Sequence, residues 1–546
     1  MLRDPSGWKP KLDAEVIARY RVEGAWRDRT IADRLDDLCE RQPGQTLVVD
    51  GVRSLSAAKV RKLARRLGRV LAERGLRPGH VVSFQLPNWH EAVLIEVACA
   101  YAGYVCNPIV PIYRDAEVSF ILADAGSRVL FVPESFREFD YRTMVDRMRT
   151  DLPRLGEVVF VRPRDSSLLS FEQFVREPAN VPLKRPDPNN VKLILYTSGT
   201  TSRAKGVLHT HNTIDAEIRN FVDWLKLEST DAILMPSTVG HITGYLYGIQ
   251  LPITLGCPVV LMDVWDAQQA LDLIEHYRIT FTLGATPFLQ ELARAAREWG
   301  RRLPTLRYFP TGGAPVPPEM VQDANAAFER CGCFRLYGST EAPTVTLGVP
   351  DPQQRELAAT TEGYVVGHEI RLVDACGETV APGQEGEIVT RGPEMCVGYA
   401  APEQNAEAFD AEGYFHTGDL ARITPEGCLI ITGRKKDLII RGGENISPKE
   451  IEDVLYAHPA VREAAVVAMP HPRLGETACA YVTLREGGVF DFAEMRRTLE
   501  RSGLAKQKYP ERLEIVDALP YTAAGKIRKN LLREQIAERI AHETAS

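Results

Sequence analysis

The sequence predicts an α/β chain built as a multidomain α+β protein, with a large N-terminal domain of layered sheets and flanking helices and a small C-terminal α+β domain. Three observations predict it. The chain has 546 residues, too many for one ordinary hydrophobic core. Its first part alternates helical and strand-like patterns. A strand-like run ending in charge and glycine between Leu429 and Asn445 then separates that part from about 110 residues of mixed pattern.

After Ser56, apolar residues fall at Ala57, Val60, Leu63, Ala64, Leu67, Val70 and Leu71, which is helical spacing, and Gly75 with Pro78-Gly79 ends the run. A short strand is expected over His80–Leu86, a helix from near Trp89 and a strand from near Val105. Repeated strand–helix–strand order implies largely parallel sheets with helices on their faces. Beyond the boundary, Ser447-Pro448-Lys449-Glu450 reads as a capping box with proline at the first helical position. Strands are expected over Ala464–Met469, Ala478–Leu484 and Arg512–Leu519, with a helix starting at Asp491 and Glu494.

Hydrophobic residues make up 44% and charged residues 25%, an ordinary globular composition. The formal net charge is −7, with no basic stripe, which argues against a nucleic-acid partner. Ten scattered cysteines include no C-x-x-C, so paired-ligand zinc spacing is absent and the thiols read as small buried hydrophobes in a reducing compartment. The first residues lack the apolar core of a signal peptide. The longest apolar stretch, Ala92–Ile112, is broken by Glu96, Asn107, Pro108 and Pro111, so no integral membrane segment is expected. A cytoplasmic protein is the default, and a homodimer is left open.

The segment Tyr196-Thr197-Ser198-Gly199-Thr200-Thr201-Ser202-Arg203-Ala204-Lys205-Gly206 follows the apolar strand Val191–Leu195. Its backbone N–H groups and hydroxyls could cradle a phosphate, with Lys205 adding charge. A P-loop is excluded, because G-x-x-x-x-G-K-[ST] would need glycine at Ala204 and a hydroxyl residue at Gly206. Taken alone, such a Ser/Thr/Gly-rich segment is more often an ordinary loop. Four further segments lie downstream: Tyr337-Gly338-Ser339-Thr340-Glu341, Tyr414-Phe415-His416-Thr417-Gly418-Asp419-Leu420, Gly433-Arg434-Lys435-Lys436-Asp437 and Pro520-Tyr521-Thr522-Ala523-Ala524-Gly525-Lys526.

In order and spacing these five segments resemble the signatures of the adenylate-forming superfamily of acyl-CoA synthetases, carrier-protein-loading adenylation domains and luciferases. The resemblance implies an AMP-binding domain over 1–432, a hinge over 433–437 with Lys436 as pivot, and a mobile C-terminal domain over 438–546. It implies ATP, Mg2+ and coenzyme A, and a small carboxylic acid activated as its acyl-adenylate and passed to the thiol. Lys526 would be the catalytic lysine, Glu341 the magnesium ligand, and Thr340 a donor to the α-phosphate. Thr197, Ser198, Gly199, Thr200, Thr201 and Lys205 would hold phosphates. Tyr337 and Gly338 would face adenine, with Gly312, Gly313 and Ala314 approaching base and acyl group. Asp419 and Arg434 would bind ribose, and Arg441, Gly442 and Gly443 would line the pantetheine tunnel. Lys506, Lys508 and Arg512 are candidates for the CoA phosphates.

The physics agrees with these roles. A carboxylate must approach an anionic α-phosphate, so positive charge and a metal ion are needed. A carboxylate oxygen suits Mg2+. Gly240-His241-Ile242-Thr243-Gly244-Tyr245 resembles the segment gating the acyl pocket, which places His241 near the reacting carboxylate. The stretch Pro236–His241 has no aspartate to pair with an ammonium, which argues against an α-amino acid. Together with Leu283-Gly284-Ala285-Thr286-Pro287-Phe288, it resembles the branch of cyclohexanecarboxylate-CoA ligases and short- to medium-chain fatty acyl-CoA synthetases. An apolar fatty or alicyclic acid is therefore expected. An aryl-CoA ligase, a stand-alone enzyme loading a carrier protein, and a non-catalytic relative are the alternatives. The phosphate loop departs from the family at Ser202, where glycine is usual, and at Ala204, where proline is. A positive φ at Ser202 would cost roughly 1 kcal/mol.

Overall fold

A computed structural model describes residues 4–197, 204–314, 316–442, 444–521 and 526–545. Ser198, Gly199, Thr200, Thr201, Ser202, Gly443 and the stretch Thr522–Gly525 therefore lie outside the described residues.

The predicted helix after Ser56 spans Ala57–Glu73, and the Ser56 side chain accepts from Lys59 N–H at its start. Strand Val81–Phe84, helix His90–Ala102 and strand Val105–Pro108 follow as expected. Every residue of His90–Ala102 is buried. That is the pattern of a helix covered on all sides rather than one lying on a wet surface.

Two parallel sheets form the bulk of the chain. The larger has seven strands, in the order Gly332–Arg335, Tyr308–Thr311, Phe281–Thr282, Ile233–Met235, Val259–Leu261, Thr46–Asp50 and Ser54–Ser56. Only its last pair is antiparallel. The second has six strands, and Lys205–Thr210 pairs antiparallel with Val191–Thr197 at its edge. Side chains from both sheets and from helix His90–Ala102 pack into one apolar cluster, which fixes the two sheets against each other.

A third sheet was not expected. Five strands between Gly363 and Arg434 pair antiparallel, with Phe415–Ile423 and Cys428–Arg434 side by side. Its strands carry Gly418, Asp419 and Gly433 in place of a clean apolar alternation.

The last sheet combines Ile439–Arg441, Glu444–Ile446, Val461–His471, Gly475–Leu484 and Arg512–Ile515. It has apolar clusters of its own, drawn from residues 439–536. Asp491 accepts from Glu494 N–H and starts helix Phe492–Arg501, as predicted. The final strand is shorter than expected and ends at Ile515. The capping box at Ser447 is corrected. Pro448 does begin helix Pro448–Tyr456, but Ser447 makes no cap hydrogen bond. Its hydroxyl donates instead to the Thr432 carbonyl (2.5 Å), a longer-range partner that outcompetes the helix end.

All ten cysteines are free thiols, and nine are buried; Cys376 is exposed. No helix among the described residues is long and apolar enough to cross a membrane.

Candidate active site

Parallel strands end together, so loops that follow them gather at one edge, where ligands of open α/β sheets bind. In the seven-stranded sheet, Ile233–Met235 leads to Ser237 and His241, Phe281–Thr282 to Gly284, Tyr308–Thr311 to Gly312, and Gly332–Arg335 to Tyr337. Hydrogen bonds tie these exits together. Ser237 Oγ donates to Leu283 O (3.2 Å), Thr311 Oγ1 to Gly284 O (3.0 Å), and Leu336 N–H to Thr311 O (3.0 Å). A Cβ at Gly312 would lie 2.5 Å from Leu336 O, so this close passage requires glycine. Gly313 has φ +80°, and the half-buried Ala314 follows it.

The Tyr337–Glu341 loop is pinned at several points along its length. Tyr337 is bonded twice to Thr346: its carbonyl accepts Thr346 N–H (3.1 Å), and its own N–H donates to the Thr346 hydroxyl oxygen Oγ1 (3.0 Å). Any Cβ at Gly338 would overlap the Pro343 carbonyl. Ser339 N–H donates to Ala342 O (2.7 Å), closing a tight turn with Thr340 and Glu341 inside it. The Thr340 carbonyl faces His209 Nε2 (2.8 Å), and the Glu341 carbonyl accepts Cys396 N–H (2.8 Å). Burial draws the His209 imidazole down to about 4, so it is neutral, and with Nε2 protonated it donates to Thr340. Tyr399 Oη donates to Glu341 Oε1 (2.8 Å). Burial and the facing carboxylate push the Tyr399 phenol far above its ordinary range, which keeps it a donor. The second oxygen of Glu341 is the one suited to a hard cation.

Lys205 is the Cα partner of Thr197, at the end of the antiparallel pair Val191–Thr197 and Lys205–Thr210. Lys205 Nζ lies 5.1 Å from the Tyr399 ring centroid, which links this lysine to the phenol that holds Glu341.

Asp419 and Arg434 are cross-strand partners in the antiparallel sheet. Arg434 Nε lies 2.8 Å from Asp419 Oδ1, and Tyr337 Oη donates to Asp419 Oδ2 (2.7 Å). Each carboxylate oxygen keeps a second lone pair, so Asp419 can still accept two hydroxyls. Glu387 supports the same turn: it accepts Gly418 N–H (3.3 Å) and pairs with Lys435 (2.9 Å).

Lys526 directly precedes Ile527, which forms an antiparallel bridge with Tyr521. Its ammonium is drawn below its ordinary value, first by burial and then by Arg434, while Asp419 and Glu341 oppose the shift. The C-terminal lysine thus shares one electrostatic neighbourhood with groups from three other signature segments. His241 belongs there too. It sits at the start of helix Ile242–Tyr245, and its Nδ1 accepts Thr243 N–H at 3.4 Å. Burial, then the nearby Lys526, lowers it to about 4, leaving a neutral ring with Nε2 as the donor. A Cβ at Gly240 would lie 2.8 Å from Ile109 O, and one at Gly244 would overlap Thr238 O.

Lys436 stands in the 3-10 turn Lys435–Asp437, and desolvation and Arg434 draw its ammonium to about 8. Arg441 and Gly442 bond within the C-terminal sheet instead: Arg441 pairs with Glu511 (2.7 Å), and Gly442 N–H donates to Leu474 O (2.8 Å). Lys508 pairs with Glu450, and Arg512 with Glu514 and Glu543, so these cations are already neutralised in this conformation. Sequence reasoning missed His209, Glu387 and Tyr399, whose partners lie 31–131 residues away.

A family model described as AMP-binding enzyme matches residues 35–400, and one described as AMP-binding enzyme C-terminal domain matches residues 450–526. The chain is 36% identical to a medium-chain fatty-acid–CoA ligase of Escherichia coli (strain K12), across 96% of this chain and 94% of that protein. It is 31% identical to a salicylyl-CoA synthase / salicylate adenylyltransferase of a Streptomyces species, across 96% of each. Among solved structures, ATP-bound MatB from Rhodopseudomonas palustris superposes with a TM-score of 0.82 at 27% identity, covering 92% of this chain and 98% of that one. With both family models matching in order and a full-length relative 36% identical, this chain belongs to the AMP-binding enzyme family.

Proposed function

We propose that the chain is an ATP-dependent carboxylate–CoA ligase acting in two steps. In the first, a carboxylate oxygen attacks the α-phosphorus of ATP, forming the acyl-adenylate and releasing pyrophosphate. In the second, the coenzyme A thiol, losing its proton, attacks the acyl carbonyl, and AMP leaves. The observation that carries this reading is the shared electrostatic neighbourhood of Lys526, Asp419 and Glu341.

Each group then has a task. Asp419 and Arg434 accept and donate to the ribose, and Tyr337 stacks against adenine while steadying Asp419. Lys205 and Lys526 offset charge as two anions approach. Neutral His241 donates from Nε2 to the substrate carboxylate. Thr340 donates to the α-phosphate. Mg2+, bound at Glu341, would neutralise the phosphates. The segment 433–437 serves as hinge between an AMP-binding domain over 1–432 and a C-terminal domain over 438–546, with Lys436 as pivot. Rotation there would withdraw Lys526 and bring Arg441, Gly442 and Gly443 to the pantetheine.

The acid is an apolar fatty or alicyclic one, in keeping with the buried Ile242 and Leu246 beyond His241 and with the E. coli relative. The salicylate-activating relative favours an aryl acid as the second reading. A screen of fatty, alicyclic and aromatic acids with ATP and free CoA, read by product mass, tests both. Acyl-CoA from a fatty or alicyclic acid supports the proposal; adenylate without thioester from every acid overturns it. The proposal places the chain in the cytoplasm, and light scattering decides between monomer and homodimer.

A further inference from the structure

Behind the candidate site lie two carboxyl side chains that none of the roles above uses. Glu217, on helix His211–Leu225, and Glu394 are both about 1% exposed or less. Glu217 Oε1 accepts two hydroxyls: Tyr247 Oη (2.7 Å) and Thr344 Oγ1. Tyr247 belongs to the π-helical turn Leu246–Gln250, six residues beyond His241. Thr344 lies three residues beyond Glu341. One oxygen atom therefore joins the acid-side segment to the metal-side loop, and π-helical turns are frequent at functional sites.

The other oxygen, Glu217 Oε2, is buried and meets no conventional donor. Its neighbour is the carboxyl of Glu394, which after burial is the next influence raising Glu217. Two neighbouring carboxyls, both out of water, resist ionising together, which favours a protonated form. Glu394 is held in turn by Asn220 Nδ2, and His368 Nε2 stands 3.4 Å from Glu394 Oε2. Gly367 leaves the room: a side chain there would overlap both Glu394 and Asn220.

We infer that Glu217, through the two hydroxyls its Oε1 accepts, is a positioning residue for adenylation, locking the His241 segment and the Thr340–Glu341 loop in one register. The inference rests on the function proposed above for its kinetic arm only. The titratable and charged groups facing the pair are Tyr247, His368 and Arg219. Tyr247 is pushed well above its ordinary range by burial and stays a donor. Burial lowers His368 to about 4, against the opposing charge of Glu217, so it is neutral. The charge of Arg219, itself 2.9 Å from Asp215, weakly lowers Glu394. Burial dominates, raising Glu394 to about 7 and Glu217 well above 4.5. A carboxyl that holds its proton more tightly when folded stabilises the fold at low pH and loses that contribution as pH rises. For Glu394 the loss runs from about 4.5 upward through about 7.

The test uses the full chain. Pyrophosphate exchange, driven by whichever acid the screen identifies, is followed from pH 6 to 9 for wild type, Glu217→Ala, Glu217→Gln and Glu394→Gln. At pH 6.5, Glu217→Ala is expected to lose roughly tenfold in kcat/KM for the acid, and Glu217→Gln, which restores donor and acceptor, to stay within about threefold of wild type. The alkaline decline of the wild type should flatten in Glu394→Gln. Should Glu217→Ala not fold, Tyr247→Phe and Thr344→Val replace it, each expected to cost about threefold. Thermal melting over the same pH range needs no acid, so it stands even if the ligase reading fails: wild type should lose stability toward pH 8 and Glu394→Gln should not. Wild-type rates in the variants lacking the bonds, or alkaline limbs of rate and melting unchanged by Glu394→Gln, would overturn the inference.

Discussion

On the proposed roles, the nucleotide-facing loops of the first 434 residues and the segment that carries Lys526 solve opposite problems. Tyr337, Glu341 and Asp419 are each fixed by hydrogen bonds to residues far along the chain: Tyr399 on Glu341, and Tyr337 and Arg434 on Asp419. Lys526 reaches the same place from a unit with its own apolar clusters, and it meets Asp419 and Glu341 through charge. Groups proposed to hold the nucleotide are clamped, whereas the lysine proposed to arrive and leave is carried by a separately packed unit. Preorganised donors contribute to catalysis because they need not reorganise when charge develops. A lysine that departs between steps trades some of that rigidity for access.

The comparison can be broken most severely at Lys526. Lys526→Ala should lower the adenylation half-reaction by about 10²–10³-fold, the usual loss on removing a transition-state charge partner, while thermal melting stays near wild type. Adenylation at the wild-type rate, measured by pyrophosphate release, would remove Lys526 from the chemistry. On the clamped side, Asp419→Ala takes a partner from both Tyr337 and Arg434. It should raise the KM for ATP about tenfold or more and destabilise the chain by about 1–3 kcal/mol, read by denaturant melts. Gly338→Ala forces a methyl against the Pro343 carbonyl. About 1–3 kcal/mol of stability should be lost, along with activity.

Ser447→Ala removes the bond to the Thr432 carbonyl across the proposed hinge. The expected cost is about 1 kcal/mol, with thioester formation altered more than adenylation. The smallest effect is acid lability. His209, His241 and His368 are held near 4 by burial, so the unfolded chain binds more protons than the folded one below about 6.5. Stability should fall as pH drops from about 6.5 toward 4, and His209→Gln should shallow that slope.

Periodicity carried the sequence reading wherever elements bury one face or both. Helix Ala57–Glu73 and strands Val81–Phe84 and Val105–Pro108 emerged where expected. Residues whose roles depend on distant partners were harder to see. Strand Phe415–Ile423 mixes glycine, aspartate and threonine with apolar residues and shifts register beside Asp419, so it offers no clean alternation. Tyr399 and His209 look like ordinary aromatic and imidazole side chains until pairing of residues 206–208 with 397–400 sets them beside Glu341 and Thr340. Ser447 failed for a related reason: a local cap rule assumes that the hydroxyl has no better acceptor, and Thr432 O provides one. The signature residues were legible as a resemblance, and the three-dimensional pairing supplies the partners that hold Glu341, Asp419 and Thr340.

Arg434 closes the strand that begins at Cys428, and the turn Lys435–Asp437 follows it without a break. On the proposed roles, the sugar anchor and the pivot are consecutive links. Ribose is common to ATP, the mixed anhydride and AMP, so an Asp419–Arg434 grip would persist through every stage and could not tell one stage from the next. The cue to swing must then originate at the other end of the nucleotide, where pyrophosphate departs and the cations around it lose their counter-charge.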